Sequence, residues 1–519
     1  MTAEHDRPAS PERQRRDEET RGWRSGLSWR PGLLLLLVAG TLVVYAVWSR
    51  PYVPLIDWPN HMARHHLEAV RLGGAPLPPF YQIHYRVLPN LGGDLAVPPL
   101  ILALGPWAGG NLFLTLAVVL FWLGPAVFLA ECGTDRPRAF TAALLLLPWV
   151  LCNPFFWGFL NYYSGVGLGF LVLAHHLHLS RRERLPLLGL LGHALLVTLL
   201  FLWHFAVWGT YGVLLGCHLL ADILARWSKE RRVGPALARA AAWGLTTVPS
   251  LILFVVYSRF ESGINPLTHI DWGGWSRKAR ILLTPFRGYD WRIDAATGLL
   301  WLAAVAACFG PLSRRDRVPR GLLLSVAVLA VLYVVVPYQL GTTSDADSRA
   351  LMPLLVCAIA VVSFLPLRRP GLGLTLLAVC LLLRYGSVLA AWHDFDARLA
   401  PQARAFAKLQ PRSRVLPVLL APHGHKDDLE QHFLAWAVVE RDVYLPSLFA
   451  IGGQQPLTLH GPPEASLREQ DGTLTIDEAS LRGQYDYVWV LNLEGKELRL
   501  PDCCESIFHE GPLEIWQVR

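Results

Sequence analysis

Pro31-Gly-Leu-Leu-Leu-Leu-Leu-Val-Ala-Gly40-Thr-Leu-Val-Val-Tyr45-Ala-Val-Trp48, and Pro54-Leu-Ile-Asp57-Trp-Pro59-Asn60-His61-Met-Ala-Arg64-His65-His66 just beyond it, decide the fold between them. The run Leu33–Trp48 is apolar, and Ser-Arg-Pro-Tyr follows it where a secretory leader would show a small-residue cleavage site. It therefore reads as a retained first membrane span. The second segment follows so closely that Asp57 is pinned at the surface where that span emerges.

Further apolar runs lie at 111–131, 139–156, 158–179, 187–203, 205–225, 236–257, 295–312, 321–340, 350–366 and 371–391, which makes eleven with the first. The chain is 53% hydrophobic and 17% charged, against about 25% charged in a soluble protein. Basic residues cluster between the runs: Arg136 and Arg138; Arg181, Arg182 and Arg184; Arg226, Lys229, Arg231 and Arg232; Arg314, Arg315, Arg317 and Arg320; Arg368 and Arg369. Short basic loops stay in the cytoplasm. All five clusters fall inside, together with the N-terminus, only if the proline-interrupted stretch 95–109 does not cross. The net charge of +7 is thus a signature of membrane orientation and gives no nucleic-acid groove.

The expected architecture is a polytopic α-helical membrane protein of about eleven transmembrane helices, N-terminus in and C-terminus out. Residues 1–32 form a disordered cytoplasmic tail, and residues 33–392 form the membrane domain, with a first outward loop at 50–110. Residues 393–519 form a small extracytoplasmic α/β domain, with strands expected at Arg414–Leu420, Tyr485–Leu491 and Leu513–Val518 and a helix at Asp428–Glu440. Of the eight cysteines, five lie in apolar runs and none form a CxxC pair, so no zinc ribbon or redox motif is indicated. The redox state of adjacent Cys503 and Cys504 is not legible.

Asp57 precedes a helix whose first turn holds Pro59. It is either a water-facing cap or a carboxylate placed to take a proton from a substrate hydroxyl. His61 and His65 have metal-ligand spacing, with Asp57 as a third donor, against a plain interfacial role. Arg349, in Asp345-Ala-Asp347-Ser-Arg349-Ala-Leu-Met-Pro353, begins a span on the outer side, either to meet a phosphate or to anchor in headgroups. Arg384 lies within an apolar run and must face the bundle interior, where it needs a partner. The outward loop 258–294 is unusually basic at Arg277, Lys278 and Arg280, which fits an anionic lipid phosphate or a headgroup-binding surface helix. Asn153, Asn161, Tyr162, Tyr163 and His204 sit at outward helix ends and would share one cavity with Asp57, Arg349 and Arg384. His423, His425, Asp427 and Asp428 are either a polar turn or a metal site.

This layout resembles the GT-C superfamily of membrane glycosyltransferases, which includes protein O-mannosyltransferases and lipid A aminoarabinose transferases. The resemblance rests on Asp57-Trp-Pro-Asn-His61 and on Arg349–Pro353. It implies Asp57 as catalytic base, with Arg349, Arg384, Lys278 and Arg280 as contacts for a donor phosphate. Asn60, His61, Arg64 and His204 would line the substrate pocket. The implied reaction moves a sugar from a polyprenyl-phosphate donor to a hydroxyl of a glycan, lipid or protein at a multi-pass plasma membrane, compatible with a bacterial one. Many members carry Asp-Glu where this chain has Asp57-Trp58, a departure that bears on the acceptor type and on any metal role taken from the family; the cofactor is unknown, a divalent metal being allowed and not required by the sequence. Competing readings are a polysaccharide polymerase or ligase, which would place its key residues late in the chain, and a transporter, which would show internal repeats.

Overall fold

The computed structural model describes residues 11–230, 233–260, 270–311, 317–340, 344–421 and 429–519. Among these, five helices are long and apolar enough to cross a membrane: Arg30–Trp48, Pro106–Glu131, Phe205–Ser228, Trp291–Cys308 and Pro370–Lys408. Gly234–Leu245 and Val248–Arg259, bent by 48°, make a sixth if taken as one span. Gly92–Leu104, Leu187–Trp203, Arg320–Val335 and Ser348–Val362 are shorter apolar helices. Lipid-facing surfaces are plain in Leu187, Leu188, Leu191 and Leu195, all large, apolar and exposed. The first helix, α1, runs Pro11–Trp48. Residues 11–30, expected as a disordered tail, are thus drawn into helix; their Glu, Gln and Arg are good helix formers.

The expected span at 139–156 is not one helix. Arg136–Leu144 ends after nine residues, a 3₁₀ turn covers Leu147–Trp149, and a four-residue helix covers Asn153–Phe156. Pro148 and Pro154 each lack the N–H that a continuing helix requires. The freed carbonyls are met by side chains from elsewhere: Trp301 donates to Leu145 O (2.7 Å), Tyr385 to Leu147 O (2.8 Å), Tyr163 to Val150 O (2.7 Å), and Arg384 to both Pro148 O and Leu151 O. Irregular backbone at membrane depth persists only when protein supplies such partners.

Beyond the first span, α2 (Trp58–Leu72) has Asp57 at its N-cap. It is followed by α3 (Gly92–Leu104) and α4 (Pro106–Glu131). Gly105, at φ 81°, turns the chain between them, and Gly109 packs against the Leu100 backbone so tightly that a Cβ would lie 2.7 Å from it. The two helices therefore fold back on one another, and thirteen residues of α3 rise only about 20 Å.

The last membrane helix continues unbroken to Ala405, past Trp392. Beyond it stands a four-stranded sheet in the order Cys504–Glu510, Leu513–Val518, Tyr487–Asn492, Val415–Leu420; the last pair is parallel and the others antiparallel. The middle strand Tyr487–Asn492 is buried on both faces, which explains its unbroken apolar sequence. In place of the expected helix at Asp428–Glu440 stand a 3₁₀ turn at Phe433–Ala435 and a helix at Trp436–Arg441. This unit sits on the first loop. Tyr81–Ile83 pairs antiparallel with Leu457–Leu459, Tyr81 Oη donates to Val443 O (2.9 Å), Tyr52 Oη donates to Glu440 (2.8 Å), and His66 meets Asp442 at 3.1 Å. As a result α2 is buried on nearly every face.

Candidate active site

Asp57 does not cap α2. It lies in helical backbone conformation (φ −87°, ψ −9°), and no side-chain cap bond forms. Its backbone N–H donates to Trp157 O at 3.0 Å, and Gly158 presses against that same backbone. The carboxylate is largely buried and accepts no hydrogen bond among the described residues. Among the described residues its one titratable neighbour within 4 Å is His432 of the C-terminal unit, with Nε2 3.6 Å from Oδ1. Burial pushes the Asp57 carboxyl up to about 7 and pulls the His432 imidazole down to about 4. A carboxylate poised near neutral pH has the affinity a general base needs. On the next turn of the chain, Asn60 Oδ1 accepts from Phe449 N at 3.2 Å and the His61 ring meets Phe449 edge-on at 5.9 Å. Desolvation lowers His61 well below the ordinary histidine value, so it stands there as a neutral imidazole.

Arg64 points instead into a closed polar cluster one turn further along. Its Nε donates to Asp94 Oδ1 at 2.6 Å and Nη2 to Oδ2 at 3.3 Å. His65 Nδ1 lies 3.1 Å from Glu68 Oε2 and 3.9 Å from Asp94 Oδ1. All four side chains are buried. Burial raises Asp94, but the Arg64 charge outweighs it and holds the carboxyl below the usual range. Burial also pushes the Glu68 carboxyl well above the usual carboxylate range. Among the described residues this is the group that brings three metal-type donors within 4.8 Å of one another: His65, Glu68 and Asp94. It replaces the combination of His61, His65 and Asp57 expected from spacing. Arg64 already supplies the compensating positive charge and would repel a second cation, so the set does not fit a metal with Arg64 in place.

Arg349 stands at the start of the helix Ser348–Val362. Its backbone carbonyl accepts from Tyr162 Oη at 3.0 Å, while its Nε is buried with no hydrogen-bond partner among the described residues. His204 sits at the break between two helices, its ring 5.5 Å from that of Tyr162 and its Nδ1 likewise buried and unpartnered. Tyr162 and Gly158 are four residues apart, at most about 14 Å even if extended. Asp57, held at Trp157 and Gly158, and Arg349, held at Tyr162, therefore hang on one short segment at one end of the bundle. Asn161, in the same segment, ties it to the first loop by donating to Asn90 O (2.5 Å) and accepting from Gly93 N (2.7 Å).

Two of the expected phosphate contacts are engaged elsewhere. Arg384 is buried below the pocket with its donors spent on Pro148 O, Phe286 O, Leu151 O, Arg287 O and Asp294. It does not line a cavity with Asp57. Lys278 Nζ is spent on Tyr333 O (3.2 Å), Val336 O (2.8 Å) and Asp347 (3.2 Å). The family resemblance made both of them donor-phosphate contacts, whereas burial obliges each to find acceptors in the protein, as the position of Arg384 within an apolar run already required. Arg280 lies exposed on the short helix Trp275–Ile281. Of the possible metal ligands in the C-terminal part, His423, His425, Asp427 and Asp428 lie outside the described residues. Sequence reasoning missed His432, Phe449 and Asp94. The one signal it held was that a buried Arg64 requires a nearby carboxylate.

No protein-family model and no curated protein matches the sequence. Solved structures do match. The arabinofuranosyltransferase AftD from Mycobacteria aligns with 93% of this chain at 16% identity and TM-score 0.51; this chain covers 40% of AftD's length. ArnT from Cupriavidus metallidurans, solved bound to undecaprenyl phosphate, aligns with 80% of this chain and 85% of its own at 14% identity and TM-score 0.48. Its apo form gives 13% identity and TM-score 0.49. At such identities the likeness is one of fold. The chain is a polytopic helical membrane protein whose fold is like that of AftD.

Proposed function

We propose that this chain is a membrane glycosyltransferase that moves a sugar from a polyprenyl-phosphate donor to an acceptor hydroxyl on the extracytoplasmic side. The observation that carries the reading is a largely buried Asp57 carboxylate that accepts no hydrogen bond among the described residues, together with an Arg349 guanidinium whose Nε is buried with no partner among them, both anchored on the segment 157–162. ArnT's undecaprenyl phosphate is an anionic lipid of the kind such a guanidinium would bind. Asp57 takes the proton of the acceptor hydroxyl as its oxygen attacks the anomeric carbon. The bond from that carbon to the phosphate oxygen breaks, and its electron pair leaves with the lipid phosphate. Arg349, with His204 beside it, stabilises the charge growing there. One displacement inverts the anomeric configuration. Lys278 and Arg384 take structural roles, and Arg280 remains an exposed cation at the entrance loop. The acceptor and the sugar, whether hexose or pentose, are left open.

The test is transfer from a panel of polyprenyl-phosphate sugars by the purified protein in liposomes. We expect one donor to be consumed, and Asp57→Asn to slow its consumption by about 10²–10⁴-fold, the usual span for a proton-transfer catalyst. A donor consumed equally fast by Asp57→Asn ends the base assignment. If only sugar nucleotides are consumed, the donor class is wrong.

A further inference from the structure

The C-terminal unit does more than cover the first loop. It places three groups on the opening turn of α2. Phe449 N donates to Asn60 Oδ1 at 3.2 Å. The Phe449 ring stands edge-on to His61 (5.9 Å, 71°) and edge-on to His432 (5.1 Å, 72°). His432 Nε2 lies 3.6 Å from Asp57 Oδ1. Phe449 is thus wedged between two imidazoles, and that wedge fixes where the His432 ring faces. Its Nε2 edge is turned to the one carboxylate for which the site has no other hydrogen-bond donor among the described residues.

We infer that His432 is the positioning residue of the site: as a neutral imidazole it donates its Nε2–H to Asp57 Oδ1 and leaves Oδ2 aimed at the acceptor hydroxyl. The inference rests on the reading of Asp57 as base. At 3.6 Å the pair is about half an ångström longer than a hydrogen bond, a gap that a small rotation of the His432 ring closes as Asp57 ionises and draws the N–H in. An unbonded, buried carboxylate is costly to ionise, and one charge-assisted N–H donor is worth about 1.5–3 kcal/mol to its ionised form. The donor must be neutral, because an imidazolium would give Asp57 an ion-pair partner and remove its basicity. Burial keeps His432 in that state. On α2 the titratable group that His432 acts on is His61, which also feels Arg64, His65 and Asp94. None of these reaches Asp57 within ion-pair distance. The C-terminal unit is on this view part of the active site, and the membrane domain alone lacks the group that holds its base.

Asp57 protonation is measurable without donor or acceptor. A hydrophobic carbodiimide modifies protonated, buried carboxyls, so adduct formation on the Asp57 peptide, followed by mass spectrometry across pH on the full-length protein, reads its midpoint. We expect His432→Ala to move that midpoint up by about one to two pH units, the range equivalent to losing such a bond. His432→Gln, which keeps an N–H donor, should return it toward wild type. A midpoint that stays put in His432→Ala overturns the inference, and so does loss of transfer activity in that variant with no change in midpoint, since undocking of the unit would explain it. Transfer by Asp57→Asn is read separately. If that variant is as active as wild type, the base reading fails whatever His432 does; if it is inactive while the midpoint ignores His432, only the inference fails.

Discussion

The Nε of Arg384 donates to the carbonyl oxygen of Pro148 at 2.9 Å, across 236 residues of sequence. The same guanidinium reaches Leu151 O, Phe286 O and Arg287 O, and lies 3.5 Å from Asp294. A planar fork with five donors can satisfy several carbonyls at once. Pro148 and Pro154 open the helix in this region, and Arg384, with Tyr385, Tyr163 and Trp301, closes the hydrogen-bond deficit they create. The cost of an intramembrane cation and the cost of broken backbone thus offset one another.

Replacing Arg384 by Met should therefore cost folding stability. Four carbonyls lose their donor and Asp294 loses its counter-charge, a change of about 3–5 kcal/mol by analogy with a broken buried pair. Lysine, a single point donor, should rescue little. Melting temperature and monodispersity in detergent measure this. A variant of normal stability with a raised KM for the lipid donor would return Arg384 to the phosphate site.

Asp57 predicts the pH profile. A base must be ionised, so activity should rise with pH through about 7, where burial places its carboxyl. The stability effect has the opposite sign. A carboxyl whose folded value lies above its unfolded value of about 3.9 favours the fold at low pH, and that benefit is lost as pH rises to 7. Asp57→Asn should accordingly raise the melting temperature above pH 7 and leave it unchanged near pH 4. An acid limb of the rate profile below pH 5 contradicts the assignment.

Much of this arrangement is written locally. The apolar runs, the position of Asp57 just after the first span, the strand Leu513–Val518 and the place of Arg349 at the start of a helix each follow from a few adjacent residues. What is not legible comes from long-range contact. Nothing near His432 or Phe449 points to α2, because the contact joins residues hundreds of positions apart. Nothing near Lys278 shows that Asp347 and two carbonyls will consume its donors. Pro148 and Pro154 do signal a break in the run at 139–156, but apolar content alone hides it. Hydropathy measures what a segment avoids, and the pairing of buried cations is decided by what folds against them.

Arg349 should behave oppositely to Arg384. Its Nε is buried without a partner among the described residues, a state that lowers stability unless a ligand arrives. Arg349→Met should leave the melting temperature equal or higher while lowering kcat/KM for the lipid donor by about 10²-fold, as expected for loss of one charged contact to a developing phosphate charge. Lysine should fall between the two, since it keeps the charge and loses the fork. Added undecaprenyl phosphate should raise the melting temperature of wild type and not of Arg349→Met. Equal stabilisation of both by the lipid excludes Arg349 as its phosphate contact.

The Arg64–Asp94 pair tests whether the polar cluster beneath His61 is structural. The bond is short, at 2.6 Å, and both partners are buried. Removing one partner strands the other charge away from water, so Asp94→Leu and Arg64→Met should each cost about 3–5 kcal/mol. Together they remove both charges, so the double variant Arg64→Met/Asp94→Leu should be more stable than either single variant, a coupling visible in a double-mutant cycle of melting temperatures. Chelation should leave the wild-type melting temperature where it is, because Arg64 supplies the positive charge that a metal would otherwise bring. Strict additivity of the two substitutions, or a chelator-induced loss of stability that zinc restores, would show that His65, Glu68 and Asp94 hold a cation after all and that Arg64 only borders it.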